Sequence, residues 1–196
     1  MQFARHQPKE GMHLNYKLYL RQKDNLLLFT RVPSQRANEI HTDTLTIILT
    51  PEYFVTVSLK DTFFIPSIIN SDMDVATTQK SKLLLGILLK MAFLYTKKIK
   101  AVRAQVLSVK KDVNNISDKE IIKLTENEEI LSQYLNALIP LRNVIETLLK
   151  GEYIKIYEED SQLLNDLLIS IKQSVDVCTV SLKSIQNLRD SYQIIF

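Results

Sequence analysis

The sequence is short of the residues that punctuate a chain. Three glycines and five prolines stand among 196 residues, against usual frequencies of about 7% and 5%. Past Pro66 only Gly86, Pro140 and Gly151 remain, so the last two thirds of the chain is expected to run as long helices. Its one cysteine, Cys178, cannot form an internal disulfide and gives no sign of an oxidising compartment. No apolar run reaches the roughly 18 to 20 residues that cross a bilayer. The strongest, Leu83 to Leu94, is interrupted by Lys90. The opening residues, Met1 to Lys9, lack the apolar core and small-residue cleavage site of a secretory signal. Charge of one sign is not in excess either. The balance of 25 basic and 22 acidic residues is +3, without the clustered Arg and Lys of a nucleic-acid-binding domain.

Enzyme signatures are missing as well. His6, His13 and His41 have no Cys or His at the spacing of a zinc site. There is no glycine-rich phosphate loop and no Gly-x-Ser-x-Gly elbow. Nothing supports an enzyme.

What is present is a 45% share of hydrophobic residues, too high for disorder, in two kinds of pattern. Up to Leu59 the pattern suits strands. Leu26 to Val32 is a short apolar run closed by Pro33, Thr44 to Thr50 is β-branched and closed by Pro51, and Tyr53 to Leu59 follows after a tight turn. Strands joined so closely are antiparallel neighbours. Tyr16 to Leu20 reads as a weaker strand. Three long helices follow, at about Thr78 to Asn114, Ser117 to Lys150 and Ser161 to the end. Ser117-Asp118-Lys119-Glu120 has the form of a capping box, and Gly151 suits a C-terminal stop. Pro140 removes a helical hydrogen bond and is expected to bend the second helix near Asn136. The fold class is therefore α+β. Residues 1–76 form a small partial α/β sandwich with antiparallel strands, and residues 77–196 form a long-helix bundle that includes an extended stalk helix.

The stripes on the helices are sharp. On the third, Leu164, Leu168, Ile171, Val175, Cys178, Leu182 and Ile185 alternate by four and three, with a break at Arg189. The second repeats the spacing at Leu131, Tyr134, Leu138, Leu141, Ile145 and Leu148, and the first at Ile99, Val102, Val106, Val109 and Val113. The helices are expected to pack as antiparallel neighbours, with the third, about 50 Å long at 1.5 Å per residue, projecting. Cys178 falls on the seam and reads as a small buried hydrophobe. The basic end of the first helix, with Lys97, Lys98, Lys100, Arg103, Lys110 and Lys111, is expected to lie near the acidic start of the second, with Glu120, Glu126, Glu128 and Glu129. Glu158-Glu159-Asp160 fits the N-terminus of the third helix, although three adjacent carboxylates also suit a hard divalent cation.

The order of elements and several short segments resemble the cytoplasmic domain of the CorA family of magnesium and cobalt transporters. Leu45 to Thr50 followed by Phe54 to Val57 resembles its paired strands, as His6-Gln7-Pro8-Lys9 resembles the segment leading into them. Ile139-Pro140-Leu141-Arg142-Asn143-Val144-Ile145 is similar to the family's Pro-Leu-Arg-x-Val segment. Asn165-Asp166 through Asp190-Ser191-Tyr192 aligns without a gap to its long stalk helix. The Gly-Met-Asn signature, both membrane helices and most of the N-terminal half of the α/β domain have no counterpart, so the chain reads as a part that stops short of the membrane.

The resemblance implies a cytoplasmic domain at the cell inner (plasma) membrane that senses Mg²⁺ and gates a pore outside this chain. Mg²⁺ or Co²⁺ would be both regulator and cargo, the full-length protein would be a homopentamer held in the membrane by its missing C-terminal helices, and nucleic acid would play no part. It places a regulatory divalent cation at Asp166, between subunits, and Asp190 near the cytoplasmic mouth of the pore. With Leu164 at heptad position a, Asp166 falls at c and Asp190 at f, both off the seam. A second reading, a soluble coiled-coil interaction protein without a transport role, needs only the heptads.

Overall fold

Alternation and tight turns build a sheet first. The computed structural model describes residues 18–19, 25–33, 42–59, 80–110, 117–151 and 157–195. Strands β1 (Leu18–Tyr19), β2 (Leu26–Pro33), β3 (Thr42–Leu49) and β4 (Phe54–Ser58) form an antiparallel sheet in sequence order. The weak strand expected at Tyr16 to Leu20 is reduced to the pairs Leu18↔Leu28 and Tyr19↔Leu27. β2 and β3 pair from Leu26↔Leu49 to Pro33↔Thr42, so Pro33 belongs to the strand that it was expected to close. Between β3 and β4 the Thr50 hydroxyl accepts the Tyr53 N–H at 2.8 Å and the Glu52 N–H at 3.3 Å. The Thr50 N–H in turn donates to the Tyr53 carbonyl at 2.8 Å. A β-strand's period of two then sends Leu26, Leu28, Thr30 and Val32, with Leu45, Ile47 and Leu49, to one buried face.

That face lies on the first two of three helices, α1 (Lys80–Lys110), α2 (Asp118–Leu149) and α3 (Glu158–Ile195), and α3 packs on α1 and α2. Tyr95 of α1 joins the layers. Its hydroxyl donates to the Arg31 carbonyl at 2.9 Å, and its ring meets Tyr134 of α2 edge-on, with centroids 5.4 Å apart. At the start of α1 the Lys80 ammonium donates to the Thr50 and Pro51 carbonyls of the β3–β4 turn. α2 begins with the capping box, in which the Ser117 N–H donates to the Glu120 carboxylate at 2.7 Å. This hydrogen bond lowers the Glu120 pKa. α2 runs unbroken through Pro140 and stops at Gly151, whose φ of 70° lies in the left-handed region that glycine adopts freely. His6, His13, His41, Lys111 and Val113 lie outside the described residues.

α2 runs antiparallel to both other helices. Near one end of the bundle Arg189 of α3 pairs with Glu128 of α2 at 2.5 Å, and further along Lys172 pairs with Glu146 at 3.2 Å. α1 and α3 are parallel, with Thr96 and Ser174 sharing a hydrogen bond of 3.1 Å. The stripes expected on α1 and α2 are buried at Ile99, Val102, Val106 and Val109, and at Leu131, Tyr134, Leu138, Leu141, Ile145 and Leu148.

Two expectations change on α3. The buried line is Leu164, Leu167, Ile171, Ser174, Cys178, Ser181, Ile185 and Leu188, while Leu168, Val175 and Leu182 flank it, partly buried. The helix also does not project free of its neighbours. α1 and α2, with 31 and 32 residues, are themselves long rods, so α3 is covered as far as Leu188, and the Tyr192 hydroxyl donates to Asp118 at 2.9 Å.

Candidate functional site

The side of α3 turned away from the bundle carries the candidate residues. Moving two places along from each buried position gives Asp166, Ile169, Gln173, Asp176, Val180, Lys183, Asn187 and Asp190. All eight are exposed, because two residues at 100° each cross the helix to the opposite face. Asp166 and Asp190 therefore share one outward line, as their c and f positions require. At 1.5 Å per residue they stand about 36 Å apart, so the structure aligns them without bringing them together.

Their electrostatic setting is sparse. Gln162, Leu163, Ile169 and Ser170 lie three or four places from Asp166, and Gln186, Asn187, Gln193 and Ile194 from Asp190. None of these supplies the cation that usually compensates an exposed helical carboxylate. Among the described residues neither Asp166 nor Asp190 has an ion-pair or hydrogen-bond partner. Asp176 differs, since Lys172 lies four places before it, although that ammonium already pairs with Glu146. Sequence reasoning passed over Asp176. Counting threes and fours from Asp166 would have found it.

Carboxylate oxygens suit hard divalent cations, which take several oxygen ligands and, for Mg²⁺, retain much of their water. One carboxylate falls short of such a shell. Among the described residues no group of three or more His, Cys, Asp or Glu side chains is placed to hold a metal ion. Asp166 and Asp190 each stand outside any such group.

Other charged groups are occupied in holding the bundle. Glu128, expected beside the basic end of α1, is paired with Arg189 of α3, because the antiparallel register brings the end of α3 to the start of α2. The carboxylate triplet divides. Glu158 and Glu159 are exposed, while Asp160 is 5% exposed and its buried Oδ2 has no hydrogen-bond partner. Asp160 lines a cavity of about 20 Å³ with Ser81, Leu84, Leu85, Leu88, Leu148 and Leu164, room for about one water. Cys178 is fully buried, and burial pushes its thiol up to about 12, away from nucleophilic use.

No described helix is long and apolar enough to cross a membrane. Residues 8–195 match the family model of the CorA-like Mg²⁺ transporter proteins. Among solved structures, the chain is similar to the soluble domain of CorA from Methanocaldococcus jannaschii, at 17% identity and a TM-score of 0.75, covering 90% of this chain and 72% of that one. It is similar also to the cytoplasmic domain of ZntB from Vibrio parahaemolyticus, at 12% identity and a TM-score of 0.77, covering 93% and 74%. Against the complete CorA magnesium transporter of Methanocaldococcus jannaschii the identity is 16% and the TM-score 0.73, with 90% of this chain covered but only 57% of that one. These likenesses show a shared fold. Comparison with curated proteins gave no match.

Proposed function

The chain belongs to the CorA-like Mg²⁺ transporter family, and from that premise we propose that it is the cytoplasmic regulatory part of a transporter for Mg²⁺ or Co²⁺. Copies of the chain assemble with the outer face of α3 turned toward one another. Asp166 binds a regulatory cation with oxygens of a neighbouring copy, and Asp190 lies toward a pore formed by membrane helices outside this chain. Loss of the ion at Asp166 removes the charge compensation between copies. That loosens the assembly and couples cytoplasmic Mg²⁺ to the pore. The homopentamer and the inner-membrane location of the full-length protein belong to the same reading.

The observation that carries it is the outward line of α3, on which Asp166 and Asp190 stand exposed and uncompensated while the other face of the helix is fully used by the bundle. A carboxylate that serves neither core nor surface pairing is available to a cation.

Sedimentation velocity with added MgCl₂, matched in ionic strength with NaCl, tests it. Mg²⁺ is expected to shift the chain toward larger species, and Asp166→Ala to reduce the shift. An equal response to NaCl, or an unchanged response in Asp166→Ala, sinks the assignment of that residue.

A further inference from the structure

The ends of all three helices meet around one buried acid. α1 and α3 are parallel and α2 is antiparallel to them, so the first turns of α1 and α3 lie beside the last turn of α2. Ser81, Leu148 and Asp160, one from each helix, line the cavity of about 20 Å³ between them, and its other walls are leucines of α1 and α3. α3 opens with three acidic residues and α1 with none. Glu158 and Glu159 stay in solvent, whereas Asp160 turns inward, 5% exposed, and its buried Oδ2 has no hydrogen-bond partner among the described residues. Folded proteins pair nearly all buried polar side-chain atoms, with protein or with water, because an unpaired one forfeits its hydration.

We propose that Asp160 holds one internal water in this cavity and shares it with the Ser81 hydroxyl. The water donates a hydrogen bond to Oδ2 and accepts one from the Ser81 O–H, which makes two of the two to four partners that a buried water takes. A wholly apolar cavity of this size would stay dry. The carboxylate oxygen in the wall changes that. Water also fits better than a metal ion. A hard cation takes about six oxygens or more, while the side chains lining this cavity offer one carboxylate and one hydroxyl. The positive ends of two helix dipoles meet beside it as well, which favours the carboxylate and opposes a cation. The water joins the first turn of α3 to that of α1, which Lys80 already ties to the β3–β4 turn. The site lies on the inward side of α3 and is independent of the cation assignment at Asp166.

Magnetic relaxation dispersion of water oxygen, measured on the whole chain, counts long-lived internal waters. Ser81→Val removes the hydroxyl and fills part of the cavity. It is expected to lower the count by one and, through the lost hydrogen bond, to raise the unfolding equilibrium constant in urea about fivefold. Asp160→Leu is expected to lower the count by the same one, and the double variant by no more, since both residues hold a single water. Either single variant keeping the parent's count overturns the proposal, as does a Ser81→Val chain made more stable, the result of filling a dry cavity. A count that falls in the parent when EDTA is added assigns the signal to waters of a metal ion and overturns it too.

Discussion

Two buried groups near the bundle centre make stability depend on alkaline pH. Burial raises the Cys178 thiol from 9.0 to about 12, and chiefly burial raises the Tyr134 hydroxyl from 10.0 to about 12. Both groups are neutral when protonated, so above pH 9 the unfolded chain releases protons that the folded chain keeps. The folded state binds more protons, and stability falls as pH rises. The contribution is complete below about pH 9 and is lost on the way to about pH 12. Urea unfolding followed from pH 8 to pH 11 is expected to show this decline. Cys178→Ala should remove its earlier part while costing some stability at neutral pH for the lost packing; a flat profile in the parent chain would contradict it. Cys178 was legible as a buried residue because its seam position alone implies burial. Asp160 was not. Its sequence says helix N-terminus, where carboxylates are normally solvated, and only the packing of Ser81, Leu84 and Leu148 around it shows that it is enclosed.

At the scale of elements, the helices of the bundle were legible because their apolar residues recur with helical period over several turns. The seam of α3 was read one residue out at every second position. Counting hydrophobic residues selects Leu168, Val175 and Leu182, whereas the structure buries Leu167, Ser174, Ser181 and Leu188. The serines make the difference. A short side chain lets α1 approach, and the Ser174 hydroxyl is satisfied by Thr96 rather than by water. A hydrophobicity count scores both serines as surface. Ser174→Leu, which restores the ideal apolar heptad, is therefore expected to destabilise the fold by about 1 to 3 kcal/mol through overpacking. The same change at Gln173, one residue earlier and exposed, should lie within about 0.5 kcal/mol of the parent. Chemical-denaturation midpoints of the two variants decide the matter, and a Ser174→Leu chain as stable as Gln173→Leu would mean that position 174 is not tightly packed against α1. The turn after β3 was legible from Pro51. The length of β2 was not, because pairing through Pro33 depends on β3 beginning at Thr42.

For the whole molecule, the question is whether Asp166 and Asp190 work as one site or two. Sequence alone placed both off the seam, and the structure adds that they share a single outward line. About 36 Å of helix separates them, far beyond the roughly 8 Å over which charges act through physiological salt. No cation can bridge them within one chain, and α3 is held along the whole interval by its buried line from Ile171 to Leu188. Substitutions at sites so distant that share no partners add in free energy. Thermal unfolding of the chain at rising MgCl₂ measures this, since a ligand bound only by the folded assembly raises the melting temperature with its concentration. Asp166→Ala and Asp190→Ala are each expected to remove part of the Mg²⁺-dependent rise, and the double variant the sum of the two parts. A double variant no worse than the worse single one would mean that the two carboxylates act through one assembly step. The outer face of α3 would then act as a single contact between copies, its cations binding only after that contact has formed.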